Sequence, residues 1–570
     1  MAEEVWMLQT KKADFKQIGA RFRIDPVMAR IIRNRGIEGE AAIDRYLNGT
    51  LDDLYDPMLL KDMERAVSIL CEAVDTGKKI RIVGDYDIDG VCSTYILLQA
   101  FERLGSDVDF EIPDRIKDGY GINESIIEQA HADGVEVILT CDNGISAFHQ
   151  VELAKKYGMT VVITDHHEVP LDGEKEKIPP ADAVIDPKQA DCPYPFPEIC
   201  GAVVAYKLVQ VLYARRGVPQ MEWLDLLEFA AIATVGDVMK LQDENRILVK
   251  YGLKKMAQTK NLGLRRLAEK NNLDLGAITA YHIGFVIGPC LNAGGRLKTA
   301  KEALALLRAQ SEEEAERLAE ELKELNDTRK DMTEQGTEAA KLQVESWYQK
   351  DKVLVVFLPE CHESLAGIIA GRLREYYQKP AIVLTRGEEA VKGSGRSIDE
   401  YHMFKKLTEV SDLLLKFGGH PLAAGLSLEE KNIDEFRRRL NENAGLTEED
   451  FKAKVWIDVP MPVGYVTERL VRELSCLEPF GQGNEKPLFA EKSLRIRASR
   501  VLGRNRNVVK MTLEETDGHA IEALYFGDGT AFEEERAGRR EIDVVYYPDI
   551  NEYNGRKTLQ AVIRRYKFRG

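Results

Sequence analysis

The chain has 570 residues, 44% of them hydrophobic and 31% charged, with a formal net charge of −16. That balance is that of a folded chain of about three to five domains, not of a disordered or fibrous one. No run of about 18 or more uncharged apolar residues occurs, so no helical membrane span is expected.

The acidic start, Met1-Ala2-Glu3-Glu4, does not read as a secretory leader. Eight cysteines (Cys71, Cys92, Cys141, Cys192, Cys200, Cys290, Cys361 and Cys476) form no CxxC pair, which fits a reduced, cytoplasmic chain. The net negative charge argues only weakly against a nucleic-acid partner, because binding is local. Acid is concentrated in one helical segment, Ser311 to Lys341. The last eighty residues hold Lys492, Arg495, Arg497, Arg500, Arg504, Arg506 and Lys510 close together.

In chain order, residues 1–55 read as a mostly helical segment broken by Pro and Gly. From 56 to about 240, apolar strands alternate with amphipathic helices, the βαβ pattern of a parallel sheet. The expected strands are Ile80–Val83, Asp109–Ile112, Val135–Thr140, Thr160–Thr164 and Ala183–Ile185. Helices and loops follow to 310, and 311–349 has the period of a long, charged connecting helix. A second α/β unit opens at Lys352–Phe357 and fills 350–450. Residues 451–570 show short alternating strands and the turns Asp517-Gly518 and Asn554-Gly555, the pattern of a small β-barrel.

Chemistry concentrates at three successive strand ends. Ile80–Val83 runs into Gly84-Asp85-Tyr86-Asp87-Ile88-Asp89-Gly90, Val135–Thr140 into Cys141-Asp142-Asn143-Gly144, and Thr160–Thr164 into Asp165-His166-His167. Ligand sites of open α/β sheets form at carboxyl ends of strands. Clustered carboxylates repel one another, and divalent cations relieve the repulsion. Asp and His ligands without Cys favour Mn²⁺ or Mg²⁺ over structural Zn²⁺. The Asp-x-Asp-x-Asp-Gly string resembles a calcium loop, but its twelfth position is Ile96 rather than Glu. A further acidic ligand is expected at Asp237, in Val235-Gly236-Asp237-Val238. Asp186, in the turn-opening Asp186-Pro187, is the rival.

These motifs resemble the DHH phosphoesterase superfamily, and Asp85-Tyr86-Asp87-Ile88-Asp89-Gly90 is similar to the first motif of the RecJ single-stranded-DNA exonucleases. Asn292-Ala293-Gly294-Gly295-Arg296 resembles the family's Asn-Ala-x-Gly-Arg segment. Lys392-Gly393-Ser394-Gly395-Arg396-Ser397 and Phe417-Gly418-Gly419-His420 resemble its DHHA1 signatures, and the trailing barrel resembles its OB domain. Val235-Gly236-Asp237 departs slightly from the family's usual Val-Ala-Asp.

The resemblance covers about residue 20 to the end. It implies an α/β chain of five parts: helical 1–55, DHH 56–310, a connecting helix 311–349, DHHA1 350–450 and an OB barrel 451–570. It places metal ligands on Asp87, Asp89, Asp142, His166 and Asp237. Asp142, His166 and His167 carry the catalytic assignment, and Asp85, Asp165 and His167 are ligands or the groups that orient them. Arg115 and Arg296 fall on phosphate-binding positions. Ser394, Arg396 and His420 offer hydroxyl, guanidinium and imidazole groups to substrate phosphate, with His362 as a weaker candidate.

Two divalent ions about 3.5–4 Å apart can serve phosphodiester hydrolysis without a Ser or Cys nucleophile, and Asp142 is the expected bridge. The implied activity is 5′-to-3′ degradation of single-stranded DNA in recombination and repair, by a monomer assisted by a single-strand-binding protein and a helicase. Arg495, Arg497, Arg504, Arg506, Arg556 and Lys557, with Tyr525, Phe526, Tyr546, Tyr547 and Tyr553, are the barrel's candidates for backbone tracking and base stacking. Two rivals remain open. One is a short-oligoribonucleotide or cyclic-dinucleotide phosphodiesterase, which the added barrel disfavours. The other is a non-catalytic single-strand-binding scaffold, which the filled ligand positions disfavour.

Overall fold

The computed structural model describes residues 4–553 and 555–569 and divides into two compact units. Asn554, of the expected Asn554-Gly555 turn, and the side chain of Tyr553 lie outside the described residues. The first unit takes residues 56–237 and 252–453, and the second takes 6–55, 238–251 and 454–570.

In the first unit, strands β1 (Ile80–Val83), β2 (Val108–Glu111), β3 (Val137–Cys141), β4 (Thr160–Thr164) and β5 (Ala183–Ile185) form one sheet in the order β2-β1-β3-β4-β5. Every pairing is parallel. β1 and β3 are buried along their whole length. Their largely apolar runs, broken in β1 by Arg81, which pairs with Asp109 and Asp133, suit a sheet covered by helices on both faces. The strand order reverses between β1 and β3, and ligands of doubly wound sheets bind at such a point.

The helix α1 (Ile88–Arg103) follows β1 directly, and the Asp87 side chain caps it by accepting from the N–H groups of Asp89 and Gly90. It packs against α2 (Gly201–Arg216) and α3 (Leu227–Gly236). A short helical turn at 280–282, a π-helical turn Ile283–Ile287 and α4 (Gly288–Leu297) then run on as one helical stretch.

The 32-residue helix α5 (Glu312–Gln343) joins this half of the unit to the next. Ser311 caps it, and Glu312, Glu313 and Glu314 sit at the positive end of its dipole. Its buried stripe of Ala315, Leu318, Ala319 and Leu322 packs on α4 and neighbouring helices, and its far end packs on α6 (Glu363–Tyr377). The second sheet holds β6 (Leu354–Phe357), β7 (Ala381–Arg386), β8 (Val391–Arg396), β9 (Leu414–Gly419) and β10 (Ala423–Leu428), in the order β9-β10-β8-β7-β6.

The second unit is built on a five-stranded barrel of β11 (Phe489–Leu502), β12 (Val508–Glu514), β13 (Ala520–Phe526), β14 (Glu541–Tyr553) and β15 (Arg556–Arg569). β11 pairs with both β12 and β14, β13 runs parallel to β15, and β15 pairs with β14. That closes the barrel in the manner of an OB fold.

The N-terminal helices Phe15–Phe22, Pro26–Asn34 and Glu40–Asn48 do not stand apart from it. Met28, Ile31, Ile32, Ile43 and Tyr46 share one core with Phe489, Val509, Phe532 and Tyr546 of the barrel. Two of the expected stacking residues are therefore core. Tyr546 is fully buried and donates its hydroxyl to the Met461 carbonyl, and Tyr547 is buried beside it. Tyr525 packs with Phe532 and Tyr566. Phe526 is exposed.

One buried guanidinium ties the helical and barrel parts of this unit together. Arg246 donates to the carbonyls of Tyr46 (3.1 Å), Leu477 (2.8 Å) and Cys476 (2.7 Å), and stacks over the Tyr46 ring at 4.2 Å. The Tyr46 hydroxyl donates to Asn484 Oδ1 at 2.7 Å. Replacing Arg246 with Met would remove a donor from three carbonyls, of which Leu477 keeps Asn484 Nδ2 at 2.8 Å. Arg246→Met is expected to destabilise the protein by roughly 3 kcal/mol or more. A lowered urea midpoint for the transition reporting this unit checks it.

Candidate metal centre

The three carboxylate-rich strand ends meet at the β1/β3 switch point. Asp87, the cap of α1, is half-buried, and Asp89, one residue into that helix, is buried. Asp89 accepts from the N–H groups of Gly201 and Ala202 at 2.7 Å each, so the first turn of α2 holds both its oxygens. The loop can close this tightly because position 90 has no side chain. A Cβ there would fall 2.5 Å from the Asp85 nitrogen.

Asp142, just past β3, takes a left-handed conformation with φ 60°. Non-glycine residues seldom adopt it, and such strain gathers at functional sites. The neighbouring backbone accommodates it at Gly201, where a Cβ would lie 2.7 Å from Asp142 Cβ.

His166 stands at the centre. Its Nε2 lies 3.1 Å from Asp142 Oδ1, 3.4 Å from Asp89 Oδ2 and 3.8 Å from Asp237 Oδ2. Asp237 arrives from the C-terminal end of α3. Asp165 is placed differently. It accepts from the N–H groups of Ile145 (2.8 Å), His166 (2.7 Å) and His167 (3.2 Å), and pairs with His167 Nδ1 at 2.8 Å. Its lone pairs are spent on orienting the motif.

His167 is part-exposed and also meets the Tyr120 hydroxyl, 3.0 Å from its Nδ1. That hydroxyl lies 2.9 Å from the Asp142 carbonyl and donates to it. Sequence reasoning missed Tyr120. The available signal was an aromatic residue between Gly119 and Gly121, both at positive φ.

The electrostatics are those of crowded anions. Burial and Asp87 push the Asp85 carboxyl well above the usual range, and burial and Asp89 raise Asp87. Burial, with Asp89, Asp87, Asp85 and Asp237 around it, raises Asp142 strongly. Asp237 is pushed up to about 8 by burial and the charges of Asp89 and Asp87. Burial lowers His166, favouring the neutral imidazole that ligates metal. At His167 burial acts to lower the imidazole, but the Asp165 hydrogen bond and the charges of Asp165, Asp237 and Asp89 together outweigh it and raise it to about 9.

Two groups that share no residue, Asp85/Asp87/Asp142 and Asp89/His166/Asp237, each bring ligand atoms within 4.8 Å of one another, and Asp142/His166/His167 forms a third. Asp142 and His166 therefore link two adjacent pockets of donors. Asp85 Oδ1 is buried without a hydrogen-bond partner. This oxygen-rich donor set with one or two imidazoles and no thiolate fits a pair of Mn²⁺ or Mg²⁺ ions. Asp186 is buried and raised to about 7, chiefly by burial, but belongs to none of these groups.

Beside the carboxylates opens a cavity of about 590 Å³, lined among others by Tyr86, Arg115, Arg296, Ser394, Arg396 and Gly425. It lies between the two halves of the first unit. The Arg115 guanidinium stacks on Tyr86 at 4.7 Å, and Arg296 donates to the Ser364 carbonyl at 3.0 Å. Burial lowers Arg296 to about 10, helped by Arg115 and Arg329, and burial also lowers Arg396. Such a pocket of gathered guanidinium groups favours an anion.

β8 presents Ser394 and Arg396, with Ser394 opposite Gly425 of β10. His420 is exposed in the turn after β9, outside the residues that line the cavity. His362 precedes α6 and bonds Ser364 Oγ at 2.8 Å.

Residues 79–234 match the family model of the DHH family, N-terminal domain, residues 350–445 that of the DHHA1 domain, and residues 457–565 that of the RecJ OB domain. The protein is thus a DHH–DHHA1 chain carrying an OB domain, and the α/β architecture with connecting helix and terminal barrel expected from its sequence is borne out. It is 36% identical over 564 residues to the single-stranded-DNA-specific exonuclease RecJ of Bacillus subtilis, covering 98% of this chain and 70% of that protein. It is 33% identical to the RecJ of Haemophilus influenzae over 96% of this chain and 97% of that one. A crystal structure of RecJ in complex with Mn²⁺ from Thermus thermophilus matches with a TM-score of 0.84 at 28% identity, over 99% of this chain and 80% of that one. A Mg²⁺ complex of the same protein gives 0.77. The chain belongs to the RecJ family.

Because Asp165 holds the backbone N–H groups of His166 and His167 and the His167 imidazole, Asp165→Ala is expected to weaken Mn²⁺ binding by about 10–100-fold with the fold retained. Calorimetric titration, with circular dichroism as the control, checks it.

Proposed function

We propose that this chain is a metal-dependent, single-stranded-DNA-specific exonuclease that degrades its substrate from 5′ to 3′. The observation that carries the reading is the adjacency of two carboxylate-rich donor groups to an arginine-lined cavity. Asp87, Asp89, Asp142, His166 and Asp237 would hold two divalent cations, with Asp142 between them and Asp85 as a further ligand of the first. Bound there, the ions would activate water and neutralise charge on the phosphate being cleaved.

The protein's own residues do the rest. Asp165 holds His166 and His167 in orientation, and Tyr120 steadies the strained Asp142 backbone. Arg115, Arg296, Ser394 and Arg396 seat the phosphate of the strand end, a set of charge-assisted hydrogen bonds that fixes which phosphodiester lies over the carboxylates. His420 lies outside the residues that line the cavity and is not needed for that seat. The buried guanidinium groups give up hydration on folding and recover it as hydrogen bonds when phosphate arrives.

The barrel's exposed cations, Arg504 and Arg506 between β11 and β12 among them, would follow the backbone of a longer strand. We further propose action as a cytoplasmic monomer in recombination and repair, with a helicase and a single-strand-binding protein supplying the strand.

Asp142→Ala is expected to abolish hydrolysis of 5′-labelled single strands while leaving the unfolding midpoint near wild type. Turnover at the wild-type rate would remove Asp142 from the site. Chelation should abolish activity and Mn²⁺ or Mg²⁺ restore it. Arg396→Ala should raise KM by about tenfold or more, the loss of one charge-assisted phosphate contact, with duplex and 3′-labelled controls fixing strand preference and polarity.

A further inference from the structure

The helical stretch that carries Arg296 also carries a feature with no role so far. Tyr281 and Phe285, near its start, are 63% and 67% exposed. Their rings stack on each other with centroids 4.7 Å apart and planes at 27°. His282 lies edge-on to Tyr281 at 6.0 Å. Single exposed aromatics are common, but a stacked, solvent-facing pair presents a flat apolar surface.

The backbone beneath it is the π-helical turn Ile283–Ile287. Such turns are rare and concentrate at functional sites. This turn packs on α3, and a Cβ on Gly284 would touch Val235, two residues from Asp237.

The same stretch crosses the metal loop. A Cβ on Gly288 would lie 3.3 Å from Ile88, and Gly295 abuts the Tyr86 carbonyl. Asp87 therefore sits over the middle of this stretch. Arg296 lies toward one end, at the phosphate cavity, and the aromatic pair toward the other. From residue 285 to 296 the helical rise amounts to roughly 16 Å, a span of a few nucleotides.

We propose that Tyr281 and Phe285 form a base-stacking platform that grips the single strand on the 3′ side of the scissile bond. The inference rests on the metal-centre reading above, which sets the position of the scissile phosphate between the two ends. Stacking accepts any base, so the platform adds affinity without sequence preference. A duplex keeps its bases stacked inward and cannot use it, so the platform also adds to the preference for single strands.

The test is equilibrium binding of a long 5′-phosphorylated single strand without divalent metal, so that no turnover intervenes. Y281A/F285A is expected to raise Kd by about tenfold or more, one base stack or better. The conservative pair Y281F/F285Y should keep affinity near wild type, which separates loss of stacking from misfolding. An abasic residue scanned through the first nucleotides should weaken wild-type binding at one position and have no further effect at that position in Y281A/F285A. Equal Kd for wild type and Y281A/F285A, or an abasic penalty that persists in the variant, overturns the proposal. Hydrolysis of the same strand by the wild type in Mn²⁺ tests the underlying reading separately.

Discussion

Mutual repulsion among Asp85, Asp87, Asp89, Asp142 and Asp237 is the constraint around which the first unit is organised. Carboxylates this close and this buried favour taking up protons or a cation, and the raised affinities of Asp85, Asp87, Asp142 and Asp237 for a proton express that demand. The fold holds them together regardless. The α2 N–H groups grip Asp89, the first turn of α1 grips Asp87, and the Asp142 backbone is left in a conformation that only its surroundings sustain. A site prepared for positive charge at this expense in stability is a site for metal, and the arginines of the adjacent cavity then prepare the complementary place for phosphate.

The two charge clusters come from different parts of the chain. β1, β3 and β4 deliver the anions at the carboxyl edge of one sheet, while α4 and β8 deliver most of the cations. The helix α5 connects the halves, and its length follows from local chemistry: a serine cap, an acidic first turn and a buried stripe that changes partner along its course. A long rigid connector suits this division, because a loop of similar length would leave the phosphate pocket free to drift from the metal ligands.

Much of this was legible from residues. β1, β4 and β5 begin and end where their apolar runs do, because a fully buried parallel strand has no polar face to blur the pattern. The site residues were legible because a buried strand that ends in several carboxylates has no packing explanation. The role of Asp165 was not legible. Its four hydrogen bonds come from backbone and imidazole groups that only the fold brings round it. Tyr546 and Tyr547 were read as stacking residues because alternation reveals that a strand has two faces but not which face is inside. Both are buried in one core, which the N-terminal helices, which looked like a separate segment, help to close.

The sequence by itself determined the chemistry: the clustered Asp and His side chains, the absence of paired cysteines, the order of motifs and so the family. Those follow from residue type and spacing, which need no third dimension. Tertiary structure alone decided which carboxylates face one another across His166, which one is spent on orientation, and that Tyr281, Phe285 and Arg296 lie along one helical stretch beneath the metal loop. Those relations depend on where separate strands and helices end in space, and side-chain periodicity carries no information about that.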